Sequence, residues 1–146
     1  MADAQATETF NCTPKEFFDI VTDYEKYPEF LGEVKACRVL KKEGDTKLVD
    51  YKVSVVKAMQ YQLKTKEVEP SLVSWEYAGG DAFKTMSGSW KIDEVPGDKT
   101  KCKCTYSVEA TFKIFVPGPV AKTLLNVNLP TMMASYHKRI KAVYGK

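Results

Sequence analysis

Few side chains in this sequence could do chemistry. His137 is the sole histidine. It stands among Lys138, Arg139 and Lys141, without the nucleophile and orienting carboxylate that a catalytic triad needs, and reads as a surface cation near a helix C-terminus. The four cysteines, Cys12, Cys37, Cys102 and Cys104, contain no CxxC pair, and a zinc site takes four suitably spaced ligands. Cys102 and Cys104 are two apart and share one face of a strand; the cysteines read as buried reduced thiols acting as small hydrophobes. Asp50 falls on the polar side of its strand and reads as a surface ion-pair partner. No GxSxG, HExxH, P-loop or GxGxxG pattern occurs. The sequence therefore assigns no catalytic residue, no metal site and no cofactor. It offers instead eight Tyr, two Trp and five Met. Tyr and Trp combine an apolar body with a hydrogen-bonding tip, and Met adapts to irregular shapes. Such residues suit the wall of an apolar pocket.

The elements that would position them follow from periodicity. Ala4 to Asn11 alternates weakly and predicts a strand ending near Phe10. Thr13-Pro14-Lys15-Glu16 has the form of a capping box, with Pro at the first helical position, and opens a helix that buries Phe17, Phe18, Ile20 and Val21. Tyr24 to Leu31 predicts a turn and a second short helix, opened by Pro28 and closed by Gly32. From Glu33 the period becomes two. Val39 and Leu40 lie in a strand that runs into a polar turn at Lys41 to Asp45. Val49, Tyr51, Val53 and Val55 share a face, as do Tyr61, Leu63 and Thr65, then Val73, Trp75 and Tyr77. Glu69-Pro70-Ser71, Gly79-Gly80-Asp81 and Pro96-Gly97-Asp98 read as turns. Met86, Gly88, Trp90 and Ile92 form a further inward row. In the longest strand the dry face runs from Cys102 through Tyr106 to Phe112 and Ile114. After Pro117-Gly118-Pro119 the helical period returns, carrying Val120, Leu124, Leu125 and Val127, then Met132, Met133, Tyr136, Ile140 and Val143. Pro130 inside it should kink or split the helix, and Gly145 marks the stop.

The order is strand, two short helices, six strands and one long helix, which predicts one α+β domain over 1–146. Consecutive hairpin-linked strands with one apolar face need a cover, and the terminal helix is the element long enough to supply it. A long sheet twists and curves, so its concave side should leave a cavity against the helix. The wall expected from the sheet is Tyr51, Tyr61, Trp75, Tyr77, Met86, Trp90, Tyr106 and Phe112. The helix should add Leu124, Leu125, Met132, Met133 and Tyr136.

The Thr13-Pro14-Lys15-Glu16-Phe17-Phe18 opening and the segment Asp23-Tyr24-Glu25-Lys26-Tyr27-Pro28-Glu29-Phe30-Leu31, with the strand ladder and final helix, resemble the START and birch-pollen-allergen-like helix-grip superfamily. Within it the chain is most similar to the coenzyme Q-binding and polyketide cyclase-like branch. The resemblance spans nearly the whole chain. It implies non-covalent binding or transport of a lipid, isoprenoid or quinone-like molecule. It also leaves open an aromatase/cyclase, which would work mainly by folding a reactive chain inside the cavity with Tyr61 or Tyr106 assisting, and a ribosome-association toxin-like interaction module. Pro130 departs from the expected grip helix.

Composition narrows the partners. The chain of 146 residues is 44% hydrophobic, 28% charged and 12% aromatic, with a net charge of +3, a globular composition without the concentrated basic face of a nucleic-acid reader. The expected partner is a hydrophobic small molecule, and not nucleic acid; transient membrane contact is compatible with such cargo. Met1 to Thr9 lacks the apolar segment of a signal peptide and no apolar run reaches membrane-span length, so a cytoplasmic location is expected. The sequence does not fix the ligand or the oligomeric state.

Overall fold

A computed structural model describes residues 2–54, 58–80, 83–113 and 129–145. Seven antiparallel strands form one curved sheet: β1 (Ala2–Phe10), β2 (Val34–Glu43), β3 (Thr46–Ser54), β4 (Ala58–Val68), β5 (Leu72–Gly80), β6 (Phe83–Val95) and β7 (Asp98–Phe112). The spatial order is β1-β7-β6-β5-β4-β3-β2. Neighbours are thus consecutive in sequence except where β1 closes onto β7, pairing Phe10 with Cys102 and Ala4 with Val108. Between β1 and β2 come helix α1 (Pro14–Val21) and a 3-10 turn (Tyr24–Glu29); helix α2 (Leu129–Tyr144) ends the chain. Among the described residues no helix is long and apolar enough to cross a membrane.

The capping box forms as the sequence requires. The Thr13 hydroxyl accepts from the Glu16 N–H at 3.1 Å and the Glu16 carboxylate accepts from the Thr13 N–H at 2.9 Å, satisfying two groups that a bare helix start leaves orphaned. α1 then lays Phe17 on Phe10, with centroids 4.6 Å apart, and edge-on to Trp90 at 5.1 Å. It therefore closes one end of the sheet's inner face. α2 crosses the same face: Tyr136 meets Trp90 at 5.3 Å and Phe30 at 5.3 Å, while the Tyr144 hydroxyl donates to the Glu16 carbonyl at 3.2 Å. Gly145, at φ +74, donates its N–H to the Lys141 carbonyl and stops the helix, the left-handed cap its sequence position predicts.

Three expectations change. The second short helix opens at Tyr24 and carries Pro28 inside it; its bonds run to the Asp23 carbonyl and then to the Tyr27 carbonyl, so Pro28, which has no N–H, falls between the two turns. Lys41, Lys42 and Glu43 belong to β2, and the turn is reduced to Gly44-Asp45, because Gly44 adopts φ +58. Pro130 is the second described residue of α2; the expected kink or split between it and Val120 to Val127 lies outside the described residues. Finally, Gly79 and Gly80 are the last residues of β5, not a turn. Gly80 has φ +136, and a Cβ there would stand 2.5 Å from Tyr61 Cα and 2.6 Å from the Gln60 carbonyl oxygen. Both obstacles are backbone or backbone-fixed, so Gly80→Ala should destabilise the fold by about 2 kcal/mol, lowering the melting midpoint by about 4–8 °C. A thermal melt with an unchanged midpoint would contradict that close approach.

Candidate functional site

The inner rows of the strands do not all meet α1 and α2. Between them lies a cavity of about 200 Å³. β3 and β4 give it Tyr51, Val53, Met59, Tyr61, Leu63 and Thr65; β5 gives Val73 and Trp75; β6 gives Phe83, Met86 and Trp90; β7 gives Tyr106, Val108 and Phe112. Leu129, Met132 and Tyr136 of α2 cover it, and Tyr24, Tyr27, Leu31, Glu33 and Val34 flank it from the 3-10 turn and the start of β2.

Of the wall residues expected from sequence, Tyr51, Tyr61, Trp75, Met86, Trp90, Tyr106, Phe112, Met132 and Tyr136 line this cavity. Tyr77 does not: its ring packs edge-on to Phe83 at 5.9 Å. Met133 is buried in the core beside the cavity, not on its wall. Leu124 and Leu125, like Val55 and Ile114, lie outside the described residues. The glycine of the inner β6 row has a spatial role. A Cβ on Gly88 would stand 2.7 Å from the Trp75 indole, so the missing side chain is what lets that ring lie flat against β6.

The rings form a continuous network. Tyr51 stacks on Tyr61 at 5.5 Å, Tyr61 meets Phe83 at 5.1 Å, and Trp90 meets Tyr106 at 5.0 Å. Burial pushes every cavity tyrosine hydroxyl upward: Tyr106 to about 12, with Glu33 adding to the shift, and Tyr27, Tyr51, Tyr61 and Tyr136 also above the ordinary range. At neutral pH these are protonated hydrogen-bond donors, not bases. Some are already engaged: the Tyr27 hydroxyl donates to the Val21 carbonyl, the Tyr24 hydroxyl donates to Glu67, and the Tyr136 hydroxyl is bonded to Trp90 and Tyr27. Glu33 is the single carboxylate of the described lining, which holds no Lys, Arg or His.

The end of the cavity nearer the β3 start is stopped by a polar plug. Lys47 and Glu67, each 15% exposed, pair at 2.8 Å, the Tyr24 hydroxyl donates to Glu67 at 2.6 Å, and the Lys47 ammonium sits 5.2 Å from the Tyr24 ring centre. Neither charge was legible as part of a site, because both occupy inward positions that alternation reserves for apolar residues.

The other chemistry-bearing side chains lie elsewhere. Cys12, Cys102 and Cys104 are fully buried free thiols near the α1 end, with sulfurs 3.9 and 3.6 Å apart. The bond to the Cys104 thiol, with burial, pushes Cys102 up to about 12, and burial does the same for Cys37, which makes them poor nucleophiles. His137 is not loose at a helix end: it pairs with Glu8 of β1 at 3.2 Å and rests against Phe10 at 4.7 Å. On the outer face a wider trough of about 1010 Å³ is floored by Ser74, Ser87, Ser89 and Ser107. It is shallow and polar, so the smaller cavity, lined mostly by aromatic and aliphatic side chains, is the candidate site.

Comparison with known proteins agrees with this architecture. A START superfamily protein from Mycobacterium smegmatis superposes with a TM-score of 0.88 at 18% identity, over 98% of this chain and 99% of its own. The Zhui aromatase/cyclase from Streptomyces sp. R1128 superposes with a TM-score of 0.70 at 10% identity, over 96% of this chain and 86% of its own. In sequence, the ribosome association toxin RatA of Vibrio cholerae is 24% identical over 133 residues, 90% of each chain. The family model described as polyketide cyclase / dehydrase and lipid transport matches residues 11–136. The chain belongs to that family, and its curved sheet gripping a terminal helix is the START-like, ligand-binding helix-grip fold.

Proposed function

We propose that this protein binds and carries a hydrophobic small molecule, non-covalently, in the cavity between sheet and α2. The observation that carries the reading is the cavity itself: about 200 Å³ of space kept open inside a ring of aromatic side chains. Well-packed interiors leave few voids larger than a water molecule. An apolar void of about 150 Å³ takes one benzene, so this cavity has room for a single ring or a short stretch of chain. A quinone-like ring or an isoprenoid end is therefore a better fit than a whole phospholipid. With protonated phenols as the main polar tips, the site holds and orients cargo; it has no activated nucleophile among the described residues.

The test is native mass spectrometry of the protein purified from its own source, followed by solvent extraction. One lipophilic molecule per chain is expected. Val108→Phe projects a ring into the cavity from the β7 wall, and should lose that molecule, and at least tenfold in affinity for a short-chain ubiquinone, while staying folded; Val53→Phe provides the same block from β3. A wild-type protein that is empty, and whose melting temperature ignores quinones, alkylphenols and fatty alcohols, would refute the carrier reading.

A second reading, docking on the ribosome, is favoured by the likeness to the RatA toxin along 90% of both chains. It predicts co-sedimentation with ribosomal subunits that weakens as salt rises; sedimentation free of ribosomes at low salt would dismiss it.

A further inference from the structure

Thr65 is the fully buried polar residue of the core, 1% exposed, and it lines the cavity. It sits in the inner row of β4 between Lys47 on β3 and Trp75 on β5. Its hydroxyl has no hydrogen-bond partner. The polar groups beside it bond to one another and not to Thr65: Lys47 pairs with Glu67 at 2.8 Å and the Tyr24 hydroxyl donates to Glu67 at 2.6 Å. A buried hydroxyl without a partner is destabilising, and valine would fill the same space without that cost. The Tyr77 hydroxyl also lacks a partner but is off the cavity wall, whereas Thr65 is on it, where a ligand can complete its hydrogen bond.

Glu33 stands toward the opposite end. Its backbone carbonyl accepts from the Ser54 N–H at 2.8 Å, at the far end of β3 from Lys47. Its charge reaches the hydroxyls of Tyr61, Tyr106 and Tyr136, raising all three. A ligand carboxylate or phosphate would meet this charge with no cation among the described lining to compensate it, and burying an unpaired anion is strongly unfavourable.

We propose that Thr65 is the polar anchor of the bound molecule and Glu33 a filter against anions, so that the cargo is an uncharged single-ring compound whose hydroxyl or carbonyl pairs with Thr65. This rests on the carrier reading and names the ligand class within it. Fatty acids and phospholipid headgroups are excluded; a neutral phenol, quinol or quinone ring is accepted.

The experiment titrates three shape-matched probes, 4-propylphenol, propylbenzene and 4-propylbenzoate, into wild type, Thr65→Val and Glu33→Gln by calorimetry. Wild type should bind the phenol best and the benzoate worst. Thr65→Val should leave propylbenzene affinity unchanged and reduce the preference for the phenol over propylbenzene by about threefold to tenfold, the worth of one hydrogen bond. The empty Thr65→Val protein should melt at or above wild type. Should it fail to fold, Thr65→Ala against Thr65→Ser makes the same comparison. Glu33→Gln should tighten the benzoate at least threefold and leave propylbenzene alone. If all three probes bind but the phenol preference survives Thr65→Val, the anchor is wrong and the carrier reading stands. A benzoate that binds wild type best overturns the filter. If no probe binds wild type while quinones or fatty alcohols still raise its melting temperature, the single-ring class is wrong and the carrier reading stands; if those too leave it unchanged, the carrier reading fails.

Discussion

Trp90→Ala should destabilise the fold by about 3–5 kcal/mol, the range for removing a large buried ring, and lower the melting midpoint by about 10 °C or more. Trp90 is 3% exposed and joins four elements: its ring meets Phe17 of α1 at 5.1 Å, Phe10 of β1 at 6.4 Å, Tyr106 of β7 at 5.0 Å and Tyr136 of α2 at 5.3 Å. Those neighbours are held by separate backbones, so they cannot collapse together into the space left behind. Trp90 also lines the cavity. The same substitution should therefore enlarge the site, shifting preference toward bulkier ligands. Trp90→Phe, which keeps most ring contacts, should recover more than half of the loss. Chemical denaturation decides it; a cost below about 1 kcal/mol would mean that the ring network does not carry the core.

The second large effect is electrostatic. Glu67→Ala removes both the 2.8 Å partner of Lys47 and the 2.6 Å acceptor of the Tyr24 hydroxyl. Lys47 is only 15% exposed and would be left as an uncompensated, largely buried cation. Breaking one side of a buried pair costs about 3–5 kcal/mol; the residual exposure here reduces the expectation to about 2–3 kcal/mol. Replacing both, Lys47→Met with Glu67→Leu, should recover most of that, because the desolvation of two charges disappears with their attraction. The single variants Lys47→Met and Glu67→Leu, with that double, close a thermodynamic cycle. Additive losses, with no recovery in the double, would show that the plug is not a coupled unit.

How much of this was readable from residues alone depends on which interaction decides each feature. The capping box at Thr13 is local: four adjacent residues satisfy one another, and the helix begins where they say. The alternation in β3 through β7 is nearly as local, because a strand with one dry face must repeat every second residue. Tyr51, Trp90 and Tyr106 are therefore on the inner face in sequence and in structure. Which inner residues border a void is a different question. Tyr77 and Tyr61 sit in equivalent patterns, yet Tyr61 faces the cavity and Tyr77 packs on Phe83. That difference arises from sheet curvature and from where α2 crosses, both products of long-range packing. Glu33 was missed because it precedes the first paired residue of β2 and carries no periodic signal. Alternation puts Thr65 on the inner face, but its lack of a partner exists only once the neighbouring strands have assembled. Gly79-Gly80 reads as a turn by composition, whereas the close approach of β4 is what demands glycine there.

The central claim is that ligand enters the space between the sheet and α2. Intermolecular NOEs in a saturated complex with 4-propylphenol test it most directly. Contacts are expected from the ligand ring to the Trp90 indole and to the Met86 and Met132 methyl groups, with none to the outer-face serines. Contacts confined to Ser87, Ser89 and Ser107, or a complete absence of contacts to the inner rings at saturation, would contradict it.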